Sequence, residues 1–554
     1  MHPDNSNEES RISVDEPEKK AQAPEEEPSF MSKLYKKFKL PFFILLWVLM
    51  TVYFGFALGL RKRTATSDVL PLIFIYVFIL FKTLGEFVSF SFLGDAVNYF
   101  WDGILMRTFH LIPPRLRNIV YAIVVFAAFL IVSLLLHTTA TGSRSNRIQS
   151  LFGIVIILFL FFITSKHRKH IAWHTVITGQ LLQFILGLLV LKTYAGLQFF
   201  KWISDIASTF LNFSRAGASF LFSDSIYEGS STFAANVFPA IIFFVSFIQM
   251  VYYLGGMQWL VGKLSIFFTR VMDTSGAESV VASASPFVGQ GESAILVANY
   301  VDLMTLSELH AIMTSGFATI SGSVLSGYLS LQIDLTYLIT SCIMSIPCSL
   351  ALSKLRYPET EDSLTKGRVV VPERTGEDIN LLHASSNGAA LGMTLVLMIA
   401  ASLISIISLL QFANTLLSWF GYFLGITAPL TLTLIAGYIF YPFTWLIGIA
   451  PKDLYQVSKL LGLKLMANEF VAYATFTSTA AGPSIRSMIS TRSQVITQFA
   501  LCGFANLGSV GIQIGVLGSI APKRKGDLAR MALSAMITGF SATCISAAIA
   551  GLLL

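Results

Sequence analysis

The stretch SASPFVGQGESAILV, running from Ser283 to Val297, decides how the rest of the chain is read. It lies among strongly apolar segments yet carries Pro286, glycines at 289 and 291, the amide of Gln290 and the carboxylate of Glu292. A lipid-facing helix does not tolerate that combination. Irregular backbone inside a bilayer survives only where protein or a water-filled cavity satisfies its free N–H and C=O groups. The segment is therefore predicted to line a cavity. A carboxylate at that depth costs at least ~2.5 kcal/mol and marks a functional site by default, which makes Glu292 the first candidate.

The surroundings explain why depth is the issue. Of the 554 residues, 54% are hydrophobic and 12% charged, and the mean hydropathy is +0.69. Soluble chains carry about 25% charged residues, so this composition with its long apolar runs specifies an all-α polytopic membrane protein. The net charge of +7 arises from Lys and Arg in short loops between apolar runs, where it sets orientation rather than marking a nucleic-acid partner. Cys342, Cys348, Cys502 and Cys544 lie in or beside apolar segments without metal-type spacing and read as small core residues. Residues 1–40 are expected to be a disordered cytoplasmic tail, since the Glu-, Pro- and Ser-rich start cannot bury enough surface to fold. The first apolar run, 41–60, is expected to be a retained span rather than a cleaved signal.

Further runs of spanning length or nearly so fall at 69–92, 119–137, 149–165, 171–191, 234–254, 305–330, 335–355, 391–417, 491–518 and 528–553. Residues 192–233, with Lys201, Asp205, Arg215 and Asp224 among aromatics, suit a helix at the membrane interface. The run 429–449 is long enough to cross but carries Pro442 beside Tyr438, Tyr441 and Trp445, and periodicity alone leaves its crossing open. Omitting it gives about eleven spans. With the tail cytoplasmic, most Lys and Arg then collect inside, although Arg61, Lys62 and Arg63 do not. Two parts of the chain repeat one order. A surface-type helix (257–272), an interrupted polar segment (275–303) and two spans are followed later by 429–449, a polar segment around Asn468 and Glu469, and two more spans. Interrupted polar segments at corresponding positions of two halves point to a transporter's midplane site. Three crossings between the units would invert the second relative to the first.

Three clusters carry the chemistry: GQGES at 289–293, NEFVAY at 468–473 and CGFANLGSVG at 502–511. Gln290, Glu292, Glu469, Asn506 and Ser509 supply carboxylate acceptors, amide donors and acceptors and a hydroxyl, an inventory suited to a small, neutral, polyhydroxylated molecule with a heterocycle. Phe504 offers an apolar face for a ring. Gly511 and Gly515 have the spacing of a helix-packing pair. His310 and the KHRKH run at 166–170 read as solvated or interfacial.

ESVVAS (278–283), FVGQGES (287–293), SELHAIMTSGFATISGSVLSGY (307–328), NEFVAY and ALCGFANLGSVGIQIG (500–515) together resemble the concentrative nucleoside transporter family. The similarity runs from about residue 149 to the end, and the spans in 41–148 resemble the additional N-terminal helices of its eukaryotic members. The resemblance implies a plasma-membrane nucleoside importer, not an enzyme, with no cofactor and no nucleic-acid partner. It also implies a scaffold domain (149–272 and, with the polar loop, 356–428), a transport domain (273–355 and 429–554) with two inverted re-entrant hairpins, and a homotrimer in the lipid bilayer. Carried over by position, Gln290 and Glu292 contact the nucleobase, with Gly291 and Val324 beside it. Glu469, Asn506 and Ser509 hold the ribose hydroxyls, and Phe504 lines the pocket. Gly289 matches members that accept purine nucleosides, with uridine also possible.

Departures from the family bear on the coupling ion. Sodium-coupled members carry Asn where this chain has Ser285, and usually Thr where it has Gly291. The other sodium-position matches are Val288, Thr319 and Ile320. A serine hydroxyl is shorter than the amide carbonyl it replaces, so the expectation is proton coupling through Glu292, with sodium as the alternative. A buried carboxylate is all that a proton needs. Two other classes remain: an intramembrane hydrolase using Glu292 and Glu469, which lacks a nucleophile constellation or metal-ligand set, and a channel.

Overall fold

The computed structural model describes residues 30–60, 76, 77, 79, 80, 83, 113–136, 142–223, 233–366, 378–427, 429–479 and 482–554; within these, the side chains of 30–40 and of 58, 60, 114, 115, 233, 236, 292 and 326 are not described. The chain divides into two units, Met1–Leu111 and Ile112–Leu554. In the first, helix α1 (Phe30–Leu60) runs through Pro41, so the stretch 30–40, expected to belong to the disordered tail, is helical. The rest of that tail lies outside the described residues, as does nearly all of the expected span 69–92. Trp47 donates its indole N–H to Thr83 at 2.6 Å, and Phe54 stacks on Tyr76 with centroids 4.7 Å apart.

The second unit is helical throughout its described residues, apart from one isolated antiparallel bridge between Ser275 and Lys366. Three apolar helices open it: α2 (Pro114–Leu135), α3 (Arg144–Ile163) and α4 (Trp173–Lys192). Helices α5 (Tyr194–Asn212) and α6 (Ser214–Phe222) follow. On α5, Gly196, Phe200, Ser204 and Leu211 recur at helical spacing and are buried, while Lys201 and Asp205 face out, as an interfacial helix requires. Helix α7 (Phe233–Tyr253) is long enough to cross, and α8 (Gly256–Met272) turns 79° away from it.

Two runs of elements follow the order expected of the repeats. The first comprises a hairpin of α9 (Gly276–Val288), α10 (Glu292–Ile295) and α11 (Ala298–Val301), then α12 (Leu306–Ala318), α13 (Leu325–Ser330) and α14 (Leu335–Arg356). After the long helix α15 (Leu381–Phe423) come α16 (Leu432–Ile439) and α17 (Tyr441–Leu446). The second repeat comprises α18 (Leu454–Met466), α19 (Glu469–Thr477), the short α20 (Ile485–Met488), α21 (Thr491–Leu501), α22 (Leu507–Ile520) and α23 (Lys525–Leu553). Two expected spans, 305–330 and 491–518, are thus not continuous helices. Each breaks midway, at 319–324 and 502–506, which hydropathy averaged over a span does not register because most of the break residues are apolar, glycine or hydroxylated. The 429–449 question is settled by length: at 1.5 Å per residue, neither eight nor six residues crosses hydrocarbon.

Packing follows pairs. Helix α4 lies along α14, α3 along α23, and α7 along α15. Sequence order groups α3 and α4 with α7, whereas contact places them against the straight helices of the two repeats. The close-packing pair of glycines is also elsewhere than expected. A Cβ on Gly388 or Gly392 of α15 would fall 2.7 Å from the Cα of Ser246 or 2.8 Å from that of Ile242, while one on Gly511 or Gly515 meets nothing within 4 Å. Small residues four apart let α7 and α15 approach backbone to backbone.

The base of the first hairpin is held by buried charge. Ser275 and Glu278 cap α9 reciprocally, Thr305 and Glu308 cap α12 the same way, and Lys354 Nζ near the end of α14 sits 2.9 Å from Glu278. Lys354 also reaches Glu359, which accepts from Thr305 at 2.9 Å. His310 belongs to this layer and is buried, not solvated: it bonds Ser353 at 2.7 Å and Ser534 at 3.2 Å and stacks on Tyr357. The 166–170 run is exposed, as expected. All four cysteines are free and buried, with Cys342 and Cys502 sulfurs 3.5 Å apart.

Candidate functional site

The tips of both hairpins and the breaks of both interrupted helices meet at one cavity. At the first tip, α9 ends on Gly289 (φ 122°), and the backbone turns at Gly291 (φ 82°), a region open to glycine, before α10 begins at Glu292. A side chain at Gly291 would also press on Val516. At the second tip, Asn468 caps α19 by accepting the N–H of Val471 at 2.9 Å, which sets Glu469 as the first residue of the helix.

The breaks are fastened to each other. Phe504 donates its N–H to the carbonyl of Thr319 at 3.2 Å, and Gly503 (φ 99°) lies so near Phe317 and Ala318 that a Cβ there would sit 2.9 Å from a carbonyl oxygen. Asn506 then starts α22, its Oδ1 accepting from Ser509 N–H at 2.8 Å. Its Nδ2 donates to Glu469 Oε2 at 3.0 Å. Tyr328, stacked on Phe470, offers its hydroxyl to the other Glu469 oxygen at 3.4 Å. Both carboxylate oxygens therefore have a fixed donor, although Glu469 is only 3% exposed.

The cavity measures about 310 Å³, within the roughly 300–1,000 Å³ of small-molecule sites. Gly289, Gln290, Val324, Glu469, Phe504, Asn506 and Ser509 all line it. Gly291 shapes the tip from behind. The Glu292 side chain lies outside the described residues. Gln290 is buried, and its Oε1 has no hydrogen-bond partner among the described residues. A buried acceptor left unpaired costs about 1–3 kcal/mol, so this oxygen is poised for a donor on a guest molecule or for a water. One wall is polar and belongs to the repeats; the facing wall is a stripe of α15.

Several lining residues are absent from the expected set. Asn468, Ser321 and Ser323 contribute polar groups, and Thr394, Met398 and Ser402 recur every four residues along α15. The four-residue spacing of Thr394, Met398 and Ser402 was the available signal, though the same span also carries Ser405, Ser408, Gln411, Asn414 and Thr415. Tyr328 lies within a quoted motif, but only folding brings its hydroxyl to Glu469.

Of the expected cation positions, Val288 is linked to the first break through Ser321. Ser285 is in the last turn of α9, Thr319 and Ile320 follow the end of α12, and the Ser321 hydroxyl bridges to the Val288 carbonyl at 3.1 Å. Unwound carbonyls at a half-helix C-terminus are the oxygen ligands a sodium ion uses. Ser285 itself is turned onto its own helix, donating to Val281 at 2.8 Å, with Ser293 Oγ 3.2 Å away.

Three family profiles match this chain: "Na+ dependent nucleoside transporter N-terminus" over 152–225, "Nucleoside recognition" over 234–333 and "Na+ dependent nucleoside transporter C-terminus" over 337–551. Solute carrier family 28 member 3 of Eptatretus stoutii is 41% identical over 439 residues, covering 77% of this chain and 64% of that protein. Sodium/nucleoside cotransporter 1 of Sus scrofa is 40% identical over 422 residues, covering 74% and 65%. The chain thus spans just under two thirds of the length of these relatives. The structure of CNTnw in an inward-facing substrate-bound state is 35% identical, with a TM-score of 0.68, covering 73% of this chain and 97% of that one. These relatives are transporters, and their descriptions favour the sodium alternative over the expected proton coupling.

Proposed function

The chain belongs to the concentrative nucleoside transporter family, and from that premise we propose that it is a cation-coupled symporter that moves nucleosides inward across the plasma membrane. The observation that carries this reading is the single cavity walled by both hairpin tips and both helix breaks, with Glu469 oriented by Asn506 and Tyr328 and an acceptor on Gln290 left open. Glu469, Asn506 and Ser509 take the ribose hydroxyls. Gln290 and Glu292 take the base, beside Gly291 and Val324, and Phe504 covers the ring. Gly289 favours purine nucleosides, with uridine accepted. A site built around hydroxyl partners rejects analogues lacking them, because its own buried groups would stay unpaired.

Sodium is the coupling ion in this proposal. The sodium dependence of the matched families supports it, as does the Ser321 hydroxyl on the Val288 carbonyl, which brings the first break against the first tip. Binding of the ion stiffens the joint between the first tip and the first break, and so closes the site around substrate. The loaded hairpin body then moves relative to α7 and α15 in an elevator-like step, with the protein a homotrimer and its N-terminus cytoplasmic.

The deciding experiment is radiolabelled adenosine and uridine uptake into cells lacking their own nucleoside transporters, with sodium and pH varied independently. The reading requires intact nucleoside accumulated above the external concentration and dependent on sodium. Equal uptake without sodium, rising as external pH falls, would return the proton; a chemically altered product would indicate an enzyme, and mere equilibration a channel.

A further inference from the structure

The two repeats share an order of elements, and at the place where the first gathers oxygen atoms for a cation the second holds a lysine. Lys464 is in the last turn of α18, as Ser285 is in the last turn of α9. It is fully buried. Its Nζ donates to the carbonyl of Ala500 at 2.9 Å, the carbonyl of Cys502 at 2.7 Å and the hydroxyl of Thr543 at 3.3 Å. Cys502 immediately follows the end of α21, just as Thr319 immediately follows the end of α12.

The physical demand is the same at both sites. A helix that stops inside protein leaves carbonyls without intrahelical partners and concentrates partial negative charge at its C-terminus. In the second repeat, an ammonium meets that demand through two carbonyls and a hydroxyl, with the Phe540 ring centroid 5.2 Å away. The last turn of α9, Ser285 to Val288, contains no basic residue. No tethered charge from that turn fills the matching place in the first repeat.

We propose that Lys464 is a tethered cation that permanently occupies, in the second repeat, the site the first repeat offers to the coupling ion. The proposal deepens the cation-coupled reading above and rests on it. It accounts for a charged side chain at full burial whose donors go to carbonyl and hydroxyl oxygens. It also assigns the two repeats different tasks. The break at 502–506, which carries Phe504 and Asn506 into the cavity, keeps its cation in every state, while the joint between the break at 319–324 and the first tip gains one only when an ion binds. A lysine that merely fills space would be replaceable by methionine.

The test uses the full-length chain in transporter-deficient cells, with surface protein measured alongside uptake. Lys464→Met, neutral and of similar length, is expected to lose at least about tenfold in uptake at equal surface protein, the order expected when charge-assisted hydrogen bonds are removed. Lys464→Gly vacates the site. Its uptake, or its surface level if it folds poorly, is expected to recover with external propylammonium or raised sodium, and the Hill coefficient for sodium to rise above the wild-type value as a second site opens. Uptake by Lys464→Met at the wild-type level, or Lys464→Gly unmoved by any small cation and with unchanged sodium steepness, would overturn the assignment. Wild-type protein that needs no cation would instead sink the functional reading, while cation rescue of Lys464→Gly surface protein would still support the tethered charge.

Discussion

Asn506 and Glu469 are joined by a 3.0 Å hydrogen bond from the amide Nδ2 to the carboxylate Oε2, while the same amide's oxygen caps α22 through Ser509. One side chain therefore ties the second hairpin tip to the start of the half-helix that faces it. Replacing Asn506 by Ala removes a cap worth about 1 kcal/mol and a charge-assisted bond worth about 1.5–3 kcal/mol. Nucleoside KM should rise roughly tenfold to a hundredfold, taking tenfold as 1.4 kcal/mol. Unchanged KM in a properly inserted Asn506→Ala variant would remove Asn506 from the site.

Gly503 is held at φ 99° with a carbonyl oxygen and the Thr543 methyl each 2.9 Å from where a Cβ would stand. Gly503→Ala should lower the melting temperature of the detergent-solubilised protein, losing about 1–3 kcal/mol through overpacking and strain. Gly511→Ala, where space is open, is the control and should sit near wild type. Similar melting for both would mean that the two breaks are not packed as described.

Lys354 and Glu278 form a pair with side chains 8% and 0% exposed. Removing Lys354 strands the buried Glu278 carboxylate and typically costs about 3–5 kcal/mol, whereas removing both is far milder, and a Lys354 that loses Glu278 keeps Glu359. Lys354→Met and Glu278→Gln should each be much less stable than the double variant is relative to their sum, by thermal unfolding in a double-mutant cycle. Strict additivity would show the pair to be uncoupled.

Gly388 and Gly392 bring α15 against Ser246 and Ile242 of α7. Gly392→Leu should force these helices apart and reduce stably inserted protein, while Gly515→Leu on α22 should be tolerated. The readout is the folded fraction by size-exclusion chromatography, and the reverse ranking would contradict the packing.

Among the described residues, the Ser285 hydroxyl bonds its own helix at Val281 and its neighbour Ser293. Ser285→Asn extends a carbonyl toward the oxygens near Val288 and Thr319 and should lower the sodium concentration for half-maximal uptake by about tenfold, one added ligand being of the order of 1.4 kcal/mol. An unaltered or higher half-saturation would detach position 285 from ion binding.

Much of this arrangement is legible in the residues. Gly289, Gln290 and Glu292 in apolar surroundings announce an interrupted segment, because hydrocarbon offers unpaired backbone no partner. Asn468–Glu469 announces a second by the same logic, and its cap follows from local sequence, whereas the break before Asn506 lay inside what reads as a continuous span. Less legible were the contacts that need two distant segments at once. His310 resembles a surface histidine until Ser353, Ser534 and Tyr357 enclose it. Gly511 and Gly515 have the right spacing for packing yet face open space, while Gly388 and Gly392 have a partner helix.

Composition and periodicity by themselves determined a helical membrane protein with two similar interrupted units, since burial of apolar runs and satisfaction of backbone groups are local demands written along the chain. Only the tertiary structure decided that both tips share a cavity, that Tyr328 and Asn506 hold the two oxygens of Glu469, and that Lys464 fills the second helix break. Those relationships join residues far apart in sequence, and no local pattern encodes which donor will meet which acceptor once the helices pack.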